Sequence, residues 1–287
     1  MKASLKIFLF SLLFGLFIGC NLEKEIEIEI PDFENGYVVE SYLAPDRVFG
    51  LLITRSYGFY EVFDLADLEP GRQTDFLVQG VEGYIEVNEN RYPLINQITI
   101  DPDSRTIYNY VLQQQIELSE NDRITLALTF PTGEEVDAVT NIPESRPLDS
   151  VRINLDKSLD LEARETTFFY TDSTTTEYYR RQLFRIHEGK TEEMQDFLAD
   201  NSIAKGGKMA FGSGYDFAIG DTLISRITHI DKEYHDFYLS AIGSVSSNES
   251  PFGQPGRIIS NIRGSDRVIG IFTGINQSEI LIEIKDN

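Results

Sequence analysis

Arg123-Ile124-Thr125-Leu126-Ala127-Leu128-Thr129-Phe130-Pro131-Thr132-Gly133-Glu134-Glu135-Val136-Asp137-Ala138-Val139-Thr140 is the stretch that decides the fold. Ile124, Leu126, Leu128 and Phe130 fall at every second position, the period of a strand with one buried face. Pro131-Thr132-Gly133 has turn chemistry, and Glu135 to Thr140 returns. The same grammar recurs upstream. Tyr37 to Leu43 and Val48 to Tyr57 read as strands separated by Ala44-Pro45-Asp46-Arg47. Asp75 to Gln79 and Gly83 to Val87 follow. Asn88-Glu89-Asn90 reads as a hairpin turn into Arg91 to Leu94, and Tyr108 to Gln113 as a further strand. Short strands with turn signals between them indicate a sandwich or barrel. The expected class is mainly β, with an immunoglobulin-like β-sandwich over residues 20–143.

Asn141-Ile142-Pro143-Glu144-Ser145-Arg146-Pro147 carries two prolines and no periodicity, so it reads as a boundary. Beyond it a second β-rich domain is expected over 144–287. Its strands are read at Ser150 to Leu155, Thr166 to Thr171, Tyr178 to His187, Asp221 to Ile230, Arg257 to Ile262, Val268 to Thr273 and Glu279 to Ile284. Two helices are expected there. In 191–201, Thr191 can cap, Glu192 and Glu193 suit a first turn, and Met194, Phe197 and Leu198 share a face. In 231–243, Asp231 is the N-cap, and Tyr234, Phe237, Tyr238 and Ala241 fall at helical spacing, to pack on the closing sheet. Lys205 to Gly214 is glycine-rich and reads as a mobile loop.

Acidic residues number 47 against 25 Lys plus Arg, a net charge of −22 over 287 residues. That balance disfavours nucleic acid and anionic lipid, both of which need clustered cations. Apolar content of 41% is enough to build a core.

The N-terminus sets the compartment. Lys2 and Lys6 precede an apolar run from Ile7 to Ile18 that falls well short of the about 20 residues of a membrane span. It reads as a signal peptide over 1–19. Phe17-Ile18-Gly19-Cys20 resembles a bacterial lipobox, and Cys20 is the sole cysteine, so no internal disulfide can form. Cleavage before Cys20 would leave a thiol to carry lipid, palmitate included. Several acyl chains make a stable anchor, at about 0.8 kcal/mol per buried methylene. The acidic run that follows Cys20 resembles surface-export signals of Bacteroidetes lipoproteins; an alternating strand over Glu25 to Ile30 explains the same residues.

Catalytic patterns are sparse. His229 and His235 lack metal-ligand spacing. Gly206-Gly207-Lys208 fails the phosphate-loop pattern, and Gly212-Ser213-Gly214 is no nucleophile elbow. The expectation is a non-catalytic chain without metal or cofactor. The aromatic runs Phe168-Phe169-Tyr170 and Tyr178-Tyr179 read first as core or cross-strand pairs, and second as stacking platforms for sugars.

The C-terminal part is the most distinctive. Asn248-Glu249-Ser250-Pro251-Phe252-Gly253-Gln254-Pro255 leads to Ser260-Asn261-Ile262-Arg263-Gly264 and then Val268-Ile269-Gly270-Ile271-Phe272-Thr273-Gly274. This resembles the N-P-F-x-x-P … S-N-I-x-G-G-x-G-x-F signature of the DUF4249 family. Tyr37 to Leu43, Leu52 to Ser56 and Asn141-Ile142-Pro143 resemble further segments of that family. Ser250, Ser41 and the Arg263 to Arg267 stretch depart from its pattern. The resemblance implies a Bacteroidetes cell-envelope lipoprotein, often encoded beside TonB-dependent outer-membrane transporters, and it brings no catalytic residues.

From these observations the expected function is that of a lipid-anchored, surface-facing outer-membrane accessory subunit. It would dock on an outer-membrane β-barrel, either a TonB-dependent transporter or an export or assembly machine. Capture of a peptide or glycan nutrient is the alternative. Pro251, Phe252 and Pro255 form a stiffened loop that either packs in its own domain, the favoured expectation, or contacts the partner.

Overall fold

The computed structural model describes residues 36–45, 47–56, 76–101, 106–156, 162–248 and 257–286. The expected signal peptide, Cys20, and the loop residues Pro251, Phe252 and Pro255 lie outside them. Fourteen strands and one long helix are described: β1 (Tyr37–Leu43), β2 (Gly50–Arg55), β3 (Glu82–Val87), β4 (Asn90–Ile100), β5 (Ile107–Leu112), β6 (Arg123–Thr129), β7 (Glu135–Asn141), β8 (Leu148–Asp156), β9 (Glu162–Tyr170), β10 (Tyr178–His187), β11 (Lys190–Asp200), β12 (Lys208–Gly212), β13 (Thr222–Ile230), α1 (Lys232–Asn248) and β14 (Val268–Glu283). The fold is mainly β and sandwich-like, as expected. An 11-stranded sheet runs β11-β10-β13-β14-β1-β2-β5-β4-β3-β6-β7, and a three-stranded sheet runs β12-β9-β8.

The quoted hairpin forms as read. β6 and β7 pair antiparallel from Arg123 opposite Asn141 to Thr129 opposite Glu135. Ile124, Leu126, Leu128, Val136 and Ala138 enter one core with Val39, Leu51, Ile53, Ile85 and Phe272. That core is the buried face that period-two patterning requires.

β14 is one continuous strand where two were expected. Its first half pairs parallel with β1, from Val268 opposite Tyr37 to Gly274 opposite Leu43. Its second half pairs antiparallel with β13. It therefore serves both halves of the chain. The segment 141–147 joins β7 to β8 and is fastened to this strand and its neighbour. Gly274 N donates to Thr140 Oγ1 (2.9 Å), Asn276 Nδ2 to Pro143 O (3.2 Å), and Leu148 N to Ser278 Oγ (3.0 Å), while His229 Nδ1 meets Glu144 O at 2.7 Å.

Three expectations are corrected. The helix expected at 191–201 is strand β11. Glu188 and Gly189 both have positive φ (48° and 75°), the two-residue turn that matches strand twist and folds β11 back onto β10. A bulge in the β10–β11 ladder at Met194 breaks the alternation, so Met194 packs with Leu183 toward the small sheet while Leu198 packs with Tyr234 toward α1. Phe197 falls on the other face, edge-on to Phe211 at 5.4 Å. The expected mobile loop at Lys205 to Gly214 holds β12, whose Met209 and Phe211 are buried against β9. Arg257 to Ile262 is not a ladder strand; it lies against β14 through side chains. Asn261 Nδ2 donates to Phe272 O (2.7 Å), Phe272 N donates to Asn261 Oδ1 (3.0 Å), and Gly270 N donates to Ser260 Oγ (3.0 Å). The Ser-Asn pair thus supplies the partners that a further strand would have given. Nearby, Gly270 has φ +142°, and a Cβ there would meet Val39 O at 1.9 Å, so only glycine lets β1 and β14 approach.

The expected helix at 231–243 forms and runs on to Asn248. Asp231 caps it, with Tyr234 N donating to Oδ1 at 2.7 Å. Tyr234, with Phe237 and Tyr238 beside it, packs on Ile271 and Ile275 of β14. The small sheet packs on the other face of β10 and β13, where Phe169, Tyr179, Met209, Phe211 and Ile227 form a core.

Candidate functional site

β10 reads Tyr178-Tyr179-Arg180-Arg181-Gln182-Leu183-Phe184. Alternation sends Tyr179, Arg181 and Leu183 to the buried interface with the small sheet and Arg180, Gln182 and Phe184 to the opposite face. Register then builds a floor. Arg180 stands opposite Thr228 and Thr228 opposite Gln277; Gln182 stands opposite Arg226, and Phe184 opposite Ile224. Walls come from elsewhere: Tyr42 at the end of β1, Arg47 from the following turn, Tyr108 of β5 and Tyr234 of α1. The ring of Tyr108 lies across β2 because Gly50 has no side chain; a Cβ there would meet Tyr108 Cγ at 2.2 Å. The result is a cleft of about 500 Å³.

Electrostatically the cleft runs against the whole chain, because the described residues that line it include three arginines and no carboxylate. Arg180 is held rigidly. Its Nε donates to Asp196 Oδ1 (2.7 Å), its Nη1 to the Tyr234 hydroxyl (2.7 Å), and its Nη2 pairs with Asp196 Oδ2. Burial would pull its pKa down, but the Asp196 carboxylate more than offsets that and holds it above the usual range. Arg226 pairs with Glu279 Oε2 through Nε (3.0 Å) and Nη2 (2.9 Å), and lies over the Phe184 ring at 5.2 Å. Turned with its amide oxygen toward them, Gln277 accepts from Arg47 Nη2 (3.2 Å) and from Arg226 Nε (3.0 Å). Burial, and then the charge of Glu40, push the Tyr42 hydroxyl far above its ordinary pKa, and burial raises Tyr234 as well. The cleft therefore presents fixed cations and protonated hydroxyls.

A second surface lies beside it. Tyr108 faces the cleft, while Ile107, one residue before, points outward and is 45% exposed. Ile100 stands opposite Ile107 in the β4–β5 ladder and is 60% exposed, and Ile98 is 56% exposed. The β4 register shifts between Asn96 and Thr99; Ile98 lies within that shift and Ile100 just beyond it, and both face solvent. Contiguous aliphatic exposure of this kind marks interaction sites.

Of the residues singled out by sequence, His229 is buried, bonded to Glu144 O and stacked on Tyr179 at 5.1 Å, and His235 lies against Tyr178 at 4.7 Å. Among the described residues no group of three or more His, Cys, Asp or Glu is placed to share a metal. Phe169 and Tyr179 meet edge to face at 4.9 Å in the core, so the aromatic runs are split by alternation between inside and outside. The sequence reading missed the arginines; the one local signal was the Arg180-Arg181 pair inside a strand.

Compared with known proteins, residues 23–280 match the family model described as "Domain of unknown function (DUF4249)". No curated protein matches the chain. Among solved structures, a chain titled "Cytokine receptor complex - Crystal form 1A" is similar at a TM-score of 0.24 and 10% identity, over 84% of this chain and 94% of that one. A likeness that slight says nothing about what this chain binds.

Proposed function

The chain belongs to the DUF4249 family, and on that premise we propose that it is a non-catalytic lipoprotein of the outer-membrane surface. Lipid on Cys20 anchors it, and it docks as an accessory subunit on an outer-membrane β-barrel, a TonB-dependent transporter or an export or assembly machine. The observation that carries this reading is the exposed row Ile98, Ile100 and Ile107 on the β4–β5 hairpin. Burying a fully exposed side chain of this kind contributes roughly 1.5–3 kcal/mol, and with about half of each still exposed the three together can supply the apolar centre of a modest interface. The Ser260-Asn261-Ile262 and Gly270-x-Phe272 parts of the family signature hold β14 in place.

Two variants test the reading. Cys20→Ala should release the protein from membranes and abolish labelling by an alkyne fatty acid. Ile98→Glu with Ile100→Glu should leave the melting curve unchanged and abolish co-purification of an outer-membrane β-barrel from solubilised membranes. Recovery of the same barrel by the double variant would refute docking through this hairpin. The arginine- and tyrosine-lined cleft favours a second reading, capture of a small ligand.

A further inference from the structure

We infer that the cleft over β10, β13 and β14 binds a small ligand bearing a carboxylate beside an aromatic or otherwise planar body. This deepens the capture reading and rests on it only in placing a ligand there; docking through the β4–β5 hairpin is independent.

The first argument is charge. In a chain with 47 acidic residues and a net charge of −22, the described residues lining this cleft include three arginines and no carboxylate. Asp196 and Glu279, which neutralise Arg180 and Arg226, are not among its lining residues, so the carboxylates hold the guanidinium groups without filling the space between them. Arg47 makes no ion pair among the described residues, and its bonding partner there is the neutral amide of Gln277, which it shares with Arg226. A neutral oxygen satisfies a hydrogen bond but brings no counter-charge. An entering carboxylate supplies both, through the shorter and stronger charge-assisted bonds that the planar guanidinium favours.

The second argument is shape. Rings of Tyr42, Tyr108, Tyr234 and Phe184 stand around the same space. A carboxylate alone occupies a small part of about 500 Å³, while a dipeptide-sized ligand with a ring suits both the volume and the walls. The third is rigidity. Arg180 is bound on three nitrogens and Arg226 on two, so little side-chain freedom is lost on binding.

The test uses a matched pair of probes, N-acetyl-tyrosine with its free carboxylate and N-acetyl-tyrosinamide, titrated by calorimetry into the full chain in detergent. The acid should bind with Kd below about 1 mM, and the amide at least roughly tenfold more weakly. Arg47→Gln should weaken acid binding by roughly tenfold with an unchanged melting temperature, and Arg226→Gln should weaken it likewise. Inorganic phosphate, an anion without a ring, should bind more weakly than the acid. Equal binding of acid and amide would overturn the carboxylate assignment and leave capture standing. Phosphate binding as tightly as the acid would overturn the planar body. Binding of neither acid nor amide would overturn the inference together with the capture reading. Acid binding unaffected by both arginine variants would overturn the location.

Discussion

Replacing Arg181 by Met removes one member of a fully buried ion pair at the interface between the two sheets. Arg181 and Glu165 both have no exposed side-chain surface, and Nη2 meets Oε2 at 2.8 Å. Arg181 Nη1 also donates to Ser225 Oγ (2.7 Å) and to Gln182 O (3.0 Å), Ser225 donates to Glu165 Oε1 (2.9 Å), and Thr167 bonds both Glu165 and Ser225. Burial pulls the Arg181 pKa down, and the Glu165 carboxylate works against that pull. In Arg181→Met, Glu165 keeps two hydroxyl donors and loses its cation in a fully buried site. Uncompensated buried charge costs about 3–5 kcal/mol. At roughly 2–4 °C per kcal/mol for a chain of this size, melting should fall by about 6–20 °C. Most of that loss is the orphaned charge and not the intrinsic worth of the pair. The double variant Arg181→Met with Glu165→Leu should therefore recover to within about 1 kcal/mol of wild type, or exceed it. Urea denaturation of wild type, both single variants and the double variant closes the cycle. A single variant that loses less than about 1 kcal/mol, or a double variant as unstable as the sum of the singles, would refute this account of the interface.

Glu177 is opposed by burial but held down to about 2 by hydrogen bonds from Arg146, Thr171, Tyr179 and Asp172 N. Its folded pKa is depressed, so its contribution of about 3 kcal/mol is present above about pH 4.5 and lost as pH falls toward 2; Glu177→Gln should flatten acid denaturation measured by circular dichroism over that window. Asp231 is the opposite case, raised to about 6 by burial despite its bond from Tyr234 N. Its folded pKa is elevated, so stability is full below about 3.8 and falls by up to about 3 kcal/mol as pH rises through 6, a slope that a pH series of melts should find missing in Asp231→Asn. Asn261→Ala removes both side-chain bonds to the Phe272 backbone and should cost about 1–3 kcal/mol, with faster amide exchange at Phe272. Unaltered exchange there would show that the Ser-Asn segment does not stand in for a strand.

Much of the fold was legible because strand patterning is local. Tyr37 to Leu43 and Tyr178 to His187 carry their alternation in their own residues, and both strands fall where the pattern places them. Asp231 announces its helix because a cap is a contact within four residues. Local pattern failed where a bulge breaks the strand period. Met194 and Leu198 have helical spacing, but a bulge at Met194 puts them on opposite faces of the strand, and the deciding signal was the Glu188-Gly189 turn before them, both residues of which have positive φ. It failed again at Arg257 to Ile262, whose extended chain bonds through Ser260 and Asn261 side chains, a choice made by its neighbour β14.

By itself the sequence determined the mainly β class, most strand positions, the capped helix and the family signature, because each rests on residues within a few positions of one another. Only the tertiary structure decided that β14 would serve both halves of the chain, and that Arg181 would be buried while Arg180 faced a cleft. It alone brought Arg47, Arg180 and Arg226 together. Those three arginines lie far apart in the chain, so no spacing could reveal them. Their meeting follows from strand order and register, and those are set by which buried faces the whole chain must cover at once.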